Sequence, residues 1–243
     1  MKTILLFAIV LLFATTVPAQ TTIVSFGNTW KYLDNGSNQG TAWRTTSFND
    51  ASWAQGPAQL GYGDGDEATV VSFGSNPNKK HITTYFRKTI TIADASIFSS
   101  FTLSVKRDDG AVVYINGTER FRTNMPTGTI SYNTKASADA ADDGNTSQII
   151  SLPAGTLVTG TNVIAVEMHQ RAANSDDLSF DLQLTGLGDT NPPIVNTYSP
   201  VDNAINAAST SNLVLVFNEN IQKGTGNILV KEGGVITQTI DVI

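Results

Sequence analysis

The sequence predicts an all-β protein, and three observations carry that prediction. Residues 83–92 and 178–185 alternate between apolar and polar side chains, which is the period of a strand with one buried face. Asn116-Gly117 directly follows the apolar run 111–115, and Asn-Gly is among the strongest two-residue hairpin signals because both residues tolerate positive φ. No segment of the mature chain sustains a 3.6-residue period, so helices are not expected.

The first nineteen residues have the composition of a secretory signal peptide. Lys2 precedes an apolar run over residues 4–13, and Val17-Pro18-Ala19 places small residues for cleavage before Gln20. The alternative is a membrane anchor, but a spanning helix needs about 20 apolar residues. We therefore expect an exported protein, secreted or at the cell surface, without a membrane span after cleavage.

The composition of the mature chain excludes several classes of function. Removing residues 1–19 from 243 leaves 224 residues, and losing Lys2 changes the formal net charge from −6 to −7. There is no basic run, so we predict no nucleic-acid partner. Cysteine is absent, so hydrophobic burial, hydrogen bonds and ions must hold the fold, which is more typical of bacterial export than of small eukaryotic secreted domains.

The amino-terminal part of the mature chain predicts an opening strand pair, residues 22–26 and 30–33, followed by a turn-rich segment over residues 34–40. Three tryptophans follow within 24 residues, at Trp30, Trp43 and Trp53. Flat aromatic rings suit the CH face of a sugar, which makes a stacking platform one interpretation. Core and edge packing is the other, since tryptophan is highly buried on average.

Residues 57–67 form a glycine-rich segment with three acidic side chains at close spacing. Asp64, Asp66 and Glu67 offer hard oxygen ligands, and the glycines permit tight backbone turns around an ion. This is the calcium site that the sequence predicts. The segment lacks the twelve-residue EF-hand pattern, so a solvated acidic loop is the open alternative.

Residues 83–92 predict a strand with Tyr85 and Arg87 on one face and Phe86 on the other. A further strand over residues 101–105 leads into Arg107, Asp108, Asp109 and the hairpin at Asn116-Gly117. Residues 121–148 are polar and resemble a long surface loop, and such loops are often functional or mobile. Strands resume over residues 148–152, 163–169 and 178–185.

Glu167 and His169 alternate with apolar residues in the strand over residues 163–169, so they share one face about 7 Å apart. An acid and an imidazole at that spacing suit a hydrogen bond to a sugar hydroxyl, or acid/base chemistry. They could equally satisfy polar neighbours at the end of the sheet.

A linker follows the first predicted domain. Residues 188–193 read Gly-Asp-Thr-Asn-Pro-Pro, and residues 194–243 carry four more β-rich runs. The predicted organisation is a signal peptide at 1–19, a β-sandwich at 20–187, the linker at 188–193 and a second β-domain at 194–243. The second is only about half the roughly 100 residues of a complete immunoglobulin sandwich.

Two motifs carry a resemblance to known families. The acidic Asp-Asp-Gly turn at 108–110, the aliphatic strand ending in Asn116-Gly117 and the later Asn162-Val-Ile-Ala-Val-Glu167 strand resemble galactose-binding-like jelly-roll modules of secreted bacterial proteins. Residues 198–204 and 213–219 resemble the start of a bacterial Ig-like domain of the S-layer and surface-protein type. The resemblance implies a jelly-roll β-sandwich followed by a partial Ig-like β-sandwich domain.

The inventory of reactive side chains argues against catalysis. The chain has two histidines, no cysteine and no Gly-x-Ser-x-Gly, His-Glu-x-x-His or phosphate-loop motif. A glycosidase would need two carboxylates, for which Asp109 and Glu167 are the pair to nominate. We therefore predict that this chain is not an enzyme.

The predicted function is a monomeric, non-catalytic module that binds carbohydrate or a cell-surface glycan. A structural spacer, or an accessory region of a larger exported hydrolase such as a calcineurin-like phosphoesterase, is the alternative. Asp108 and Asp109 could instead be turn formers that cap their own backbone. The predicted ligand-binding residues are Arg107, Asp108, Asp109, Glu167 and His169, with Tyr85 and Arg87 beside them.

Overall fold

The computed structural model describes residues 20–189, 193–201, 204, 211–212, 214–218, 221, 227–232 and 235–241. The predicted signal peptide and part of the predicted linker lie outside these residues. The described chain contains sixteen strands and one short 3-10 turn, which confirms the all-β class. It forms two compact units that divide after Asp189.

The first unit consists of two six-stranded sheets. Strand order is β10-β7-β12-β4-β5 in the first sheet, where β1 also pairs with β12, and β3-β2-β6-β11-β8-β9 in the second. All pairs are antiparallel except β4 with β5. The strands are β1 Gln20–Val24, β2 Thr29–Leu33, β3 Ala54–Pro57, β4 Leu60–Tyr62, β5 Thr69–Val70, β6 Thr83–Ile92, β7 Phe98–Asp108, β8 Gly110–Ile115, β9 Thr118–Thr123, β10 Gln148–Pro153, β11 Gly160–His169 and β12 Leu178–Gly188, and the 3-10 turn is Ala42–Arg44.

The main core lies between the two sheets and follows the alternation of the strands. Phe86 of β6 and Phe180 of β12 stack with ring centroids 4.3 Å apart, and Trp30 meets Phe180 edge-on at 5.0 Å. Val113 and Ile164 of the second sheet belong to the same buried cluster. Burying each such side chain contributes about 1.5–3 kcal/mol, so this layer is the main source of stability. The two-sheet arrangement confirms the predicted jelly-roll β-sandwich.

A second buried cluster covers the opposite face of the second sheet. It contains Trp43, Trp53, Tyr85, Tyr114 and Ile130, with Val112, Val163 and Ala165 beneath them. Residues 34–53 and 124–137 lie over this face, so strand β8 is buried on both sides. The three tryptophans are 0%, 0% and 7% exposed, which confirms core packing and removes the stacking platform.

The hairpin at the centre of the sequence forms as predicted. Asn116 and Gly117 have φ of +52° and +83° and join β8 to β9, a combination that asparagine and glycine adopt most readily. Asn116 also exchanges hydrogen bonds with the backbone of Val163 in the neighbouring strand, at 2.9 Å each way.

The described part of the second unit consists of two antiparallel strand pairs. Strand β13 (Val195–Ser199) pairs with β14 (Val214–Phe217), and β15 (Asn227–Glu232) pairs with β16 (Val235–Asp241). These four strands occupy the β-rich runs that the sequence shows after the linker.

Candidate functional site

The chain crosses from the first sheet to the second at Asp108 and Asp109. Strand β7 ends at Asp108 and β8 begins at Gly110, so the two aspartates form the corner between the sheets. They are only 3% and 1% exposed. A buried carboxylate requires donors or a counter-charge, and the two residues meet that requirement differently.

The Asp109 carboxylate holds two loops through their backbone. Its Oδ1 accepts the Ala140 amide at 3.0 Å, and its Oδ2 accepts the Arg171 amide at 2.7 Å and the Ser175 hydroxyl at 3.2 Å. Asp109 therefore caps backbone groups far along the chain rather than those of its own turn.

A cavity of about 290 Å³ opens beside this corner. Its walls come from the β7–β8 corner, the segment that leads to β10 and the segment between β11 and β12. Its one basic residue is Arg171, whose Nε lies 3.3 Å from Asp139. The lining residues are Asp108, Asp109, Asp139, Ala140, Asp143, Arg171, Ala172, Asn174, Ser175, Asp176 and Asp177.

The carboxyl groups of this cavity disturb one another. Burial raises the pKa of Asp108 to about 8, and the charges of Asp177, Asp109 and Asp143 act in the same direction. Burial raises the pKa of Asp177 to about 6, reinforced by Asp64 and Asp143. The cavity therefore has an excess of negative charge over the cations that surround it.

Two sets of carboxylates place their oxygens within 4.8 Å of one another, Asp64 with Asp143 and Asp177, and Asp64 with Asp66 and Glu67. The second set is the calcium site that the sequence predicts. There Glu67 accepts the backbone amides of Asp64 and Gly65 at 3.0 Å each, and Asp66 accepts the Gln59 side-chain amide at 3.1 Å. Glu67 thus closes its own turn.

Glu167 and His169 lie elsewhere, on the face of the second sheet that the second cluster covers. Glu167 Oε1 accepts the Tyr114 hydroxyl at 2.6 Å and Arg44 Nη2 at 3.1 Å, and its Oε2 lies 3.5 Å from His169 Nε2. Burial alone would raise the pKa of Glu167, but His169, Tyr114 and Arg44 together hold the pKa of this carboxyl below its ordinary value. Tyr85 is the cross-strand neighbour of Glu167.

His169 completes this polar group from the end of β11. Its Nδ1 lies 2.7 Å from the Thr134 carbonyl oxygen, an atom that only accepts, so Nδ1 carries a proton. The ring therefore joins the covering segment 124–137 to the sheet, and its Nε2 faces Glu167.

The two predicted arginines each hold a covering segment in place. Arg87 donates from Nε to Asp50 at 2.9 Å and from Nη1 to the Trp43 carbonyl, which fixes residues 43–50 over the second sheet. Arg107 forms an ion pair of 3.0 Å with Asp142, one residue before the cavity-lining Asp143.

The structure thus separates the seven predicted ligand-binding residues into two groups. Asp108 and Asp109 line the cavity, and Arg107 braces the segment beside it. Tyr85, Arg87, Glu167 and His169 lie under the segments that cover the second sheet, each at most 2% exposed.

Sequence reasoning missed Asp143, Asp177, Arg171 and Asn174. One signal was present. The sequence contains three Asp-Asp pairs, at 108–109, 142–143 and 176–177, and folding brings all three to this cavity. Asp142 reaches it through Arg107, and the other five aspartates line the walls.

Comparison with protein families identifies one part of the chain. Residues 189–241 match the model of the bacterial Ig-like domain family. The second unit is therefore Ig-like, and this part of the resemblance is confirmed. A search of curated proteins finds no match. Among the described residues, no helix has the length and apolar character needed to cross a membrane.

Several solved structures of glycoside hydrolases are similar to this chain. A β-glucuronidase 2 of Bacteroides uniformis is 16% identical, with a TM-score of 0.42 over 70% of this chain and 18% of that one. A glycosyl hydrolase family 2 member of Bacteroides cellulosilyticus is 14% identical, with a TM-score of 0.44 over 92% and 29%. A β-glucuronidase of Ruminococcus gnavus is 10% identical, with a TM-score of 0.42 over 98% and 41%. The match thus spans 18 to 41% of the length of these proteins.

Proposed function

We propose that residues 20–189 form a non-catalytic binding module of an exported protein, and that the module binds a neutral or amino glycan at the acidic cavity. The observation that carries this proposal is the lining of the cavity, in which carboxylates stand beside Arg171, Asn174 and Ser175. Such groups bracket sugar hydroxyls with donors and acceptors in one small space.

The size and charge of the cavity narrow the ligand class. A volume of about 290 Å³ is at the lower end for small-molecule sites, and it suits one sugar unit or the end of a glycan chain. Six aspartates line the walls against one arginine, so an anionic glycan such as a polyuronate would be repelled. A protonated amino sugar would be attracted.

The inventory of the cavity supports binding rather than turnover. Both histidines of the chain, His81 and His169, lie outside the lining, and the chain has no cysteine. Asp109 accepts three donors from the protein and serves the loops. Glu167, the second carboxylate of the glycosidase pair considered from the sequence, is buried against Tyr114 and Arg44.

The binding proposal is tested by calorimetric titration of the chain from Gln20 to Ile243 against neutral, amino and acidic oligosaccharides. We expect saturable binding to neutral or amino sugars and none to polyuronates. Arg171→Gln and Asn174→Ala should each weaken binding at least tenfold. Lys135→Gln removes one exposed positive charge outside the lining and should leave affinity unchanged. No binding to any glycan, or equal affinities for all variants, would reject the proposal.

The Ig-like match favours a place for this module in a longer surface or secreted protein, where it would serve a hydrolase as an accessory region. A calcineurin-like phosphoesterase is one such hydrolase, and a spacer role is the competing function. An antibody against residues 20–189 would test this in the source bacterium. We expect a cell-wall or medium protein larger than 25.9 kDa that begins at Gln20. A protein of that mass confined to the cell interior would reject the accessory role.

A further inference from the structure

Three segments distant in sequence bring carboxylates together at the mouth of the cavity. Asp64 follows β4, Asp143 lies in the segment before β10, and Asp177 directly precedes β12. One carboxylate oxygen of each lies within 4.8 Å of the other two. Asp64 uses its Oδ2 to accept the Ser179 hydroxyl at 2.9 Å, which leaves Oδ1 for another partner.

Asp108 supplies a second and independent observation. It is 97% buried, it lines the same cavity, and none of the described N–H or hydroxyl groups donates to its side chain. Its closest polar influences are other acids, Asp109, Asp143 and Asp177. A buried carboxylate without a donor is unfavourable unless a positive charge faces it, so the side chain points to a missing cation.

We propose that Asp64, Asp143 and Asp177 bind one calcium ion, with Asp108 facing the same ion from the wall of the cavity. All the ligands are hard oxygens, which calcium and magnesium share. They come from three loops rather than from one rigid element, and this suits calcium, which accepts irregular geometry, better than octahedral magnesium.

The same reasoning favours this set over the set within a single loop. Glu67 already uses both carboxylate oxygens to close its turn, and Asp66 accepts from Gln59. Asp143 and Asp177 accept no side-chain donor from the described residues. The free ligand capacity therefore lies across the three loops.

A calcium ion at this place would tie the loops together in a chain that has no disulfide to do so. The inference stands apart from glycan binding, because the ion is held by protein groups alone. Metal titration without sugar tests it directly. Calcium binding without glycan binding would retain this proposal and reject the other, and the reverse result would do the opposite.

The full chain is suitable for the test because its three tryptophans, Trp30, Trp43 and Trp53, all lie in residues 20–189. Thermal unfolding followed by tryptophan emission therefore reports this unit alone. After treatment with a chelator, calcium chloride at about 100-fold above its Kd should raise the Tm by roughly 5–10 °C. Calorimetry should show one calcium ion per chain, and magnesium should bind more weakly.

Matched variants identify the ligands. Asp143→Asn keeps the shape of the side chain, and asparagine suits the φ of +52° at this position. This variant and Asp177→Asn should each weaken calcium binding at least tenfold, while Asp66→Asn and Asp176→Asn should not. A wild-type chain that binds no calcium would overturn the proposal. Binding lost in Asp66→Asn and retained in Asp143→Asn would also overturn it, as would a folded Asp177→Asn variant that binds normally.

Discussion

The Tyr114 hydroxyl donates a hydrogen bond of 2.6 Å to Glu167 Oε1, on a face of the second sheet from which solvent is excluded. The guanidinium of Arg44 lies 4.0 Å from the centroid of the Tyr114 ring and donates to the same carboxylate oxygen. These contacts fasten the 3-10 turn Ala42–Arg44 to strands β8 and β11. The polar group is therefore part of the second core.

Replacing Tyr114 by phenylalanine removes one donor from this buried carboxylate. We expect a loss of about 2 kcal/mol in the free energy of unfolding, since hydrogen bonds to charged groups contribute 1.5–3 kcal/mol. Urea unfolding followed by tryptophan emission measures it. Tyr32→Phe is the control, because the Tyr32 hydroxyl has no partner within the described chain, and it should change stability by less than about 0.5 kcal/mol. Equal losses in both variants would contradict the assignment.

Glu167 should also shape the acid limb of stability. Its pKa is lowered in the folded chain, so its contribution is present above its unfolded pKa of about 4.3 and is lost as the pH falls below that value. The groups that face it are Arg44, Tyr114, Tyr85 and His169.

The variant Glu167→Gln should therefore flatten the decline in stability between roughly pH 5 and pH 3. Some decline will remain, because burial raises the pKa of Asp50 less than Arg87 and Lys31 lower it. Glu119→Gln, which alters an exposed ion pair with Arg122, should follow the wild-type curve. A wild-type curve in Glu167→Gln would show that the Glu167 charge contributes nothing.

Gly61 allows β4 to lie against β12. A Cβ added at this residue would stand 1.8 Å from the Leu178 carbonyl oxygen, a backbone atom that cannot move without separating the strands. We expect Gly61→Ala to cost about 3 kcal/mol or to prevent folding. Gly155→Ala, at a φ of +78° in open space, should cost only about 1–2 kcal/mol. Unfolding in urea would show both, and a harmless Gly61→Ala would refute this packing.

Asp109 should control the mobility of two loops. In Asp109→Asn an amide group replaces one of two oxygens that face protein donors, so a destabilisation of roughly 1–3 kcal/mol is expected. Hydrogen exchange at the Ala140 and Arg171 amides should accelerate most. Asp139→Asn, which changes an exposed carboxylate paired with Arg171, should leave both amides protected. Unchanged exchange in Asp109→Asn would refute this role.

Tryptophan emission should not respond to glycan. None of the three tryptophans lines the cavity, and none is more than 7% exposed. Saturating the binding-competent glycan should therefore leave the emission maximum unchanged and acrylamide quenching weak. A blue shift with protection from quenching would place the ligand on an indole ring, contrary to the assigned cavity.

Local patterns predicted most of the strands. The alternation in β6 placed Phe86 towards the core, and Asn116-Gly117 fixed a turn, because each depends on neighbouring residues only. The second apolar cluster was harder to predict. Arg87 and Thr89 make one face of β6 look solvated, whereas Arg87 is buried by bonds to Asp50 and Trp43. The five apolar residues 111–115 of β8 did indicate a strand buried on both faces.

The candidate site was only half predictable for a similar reason. Asp108 and Asp109 stand out beside a strong turn signal, and both line the cavity. Asp143 and Asp177 lie about 35 and 70 residues further along, in polar segments whose paths depend on the whole fold. Only the repetition of Asp-Asp hints that these segments share a purpose, and a dipeptide carries no distance information.

The pairing of β1 with β12 determines how the first unit would respond to force. Gln20 is the Cα partner of Leu187, so the chain enters and leaves the unit on adjacent strands at the same edge. Tension between these two points would open the ladder one hydrogen bond at a time, as a zip opens, rather than shear the whole strand at once. Strand β1 would peel away at low load while the cavity, formed beyond the other end of β12, stayed intact. A module on a stretched surface protein could then lengthen without releasing what it holds.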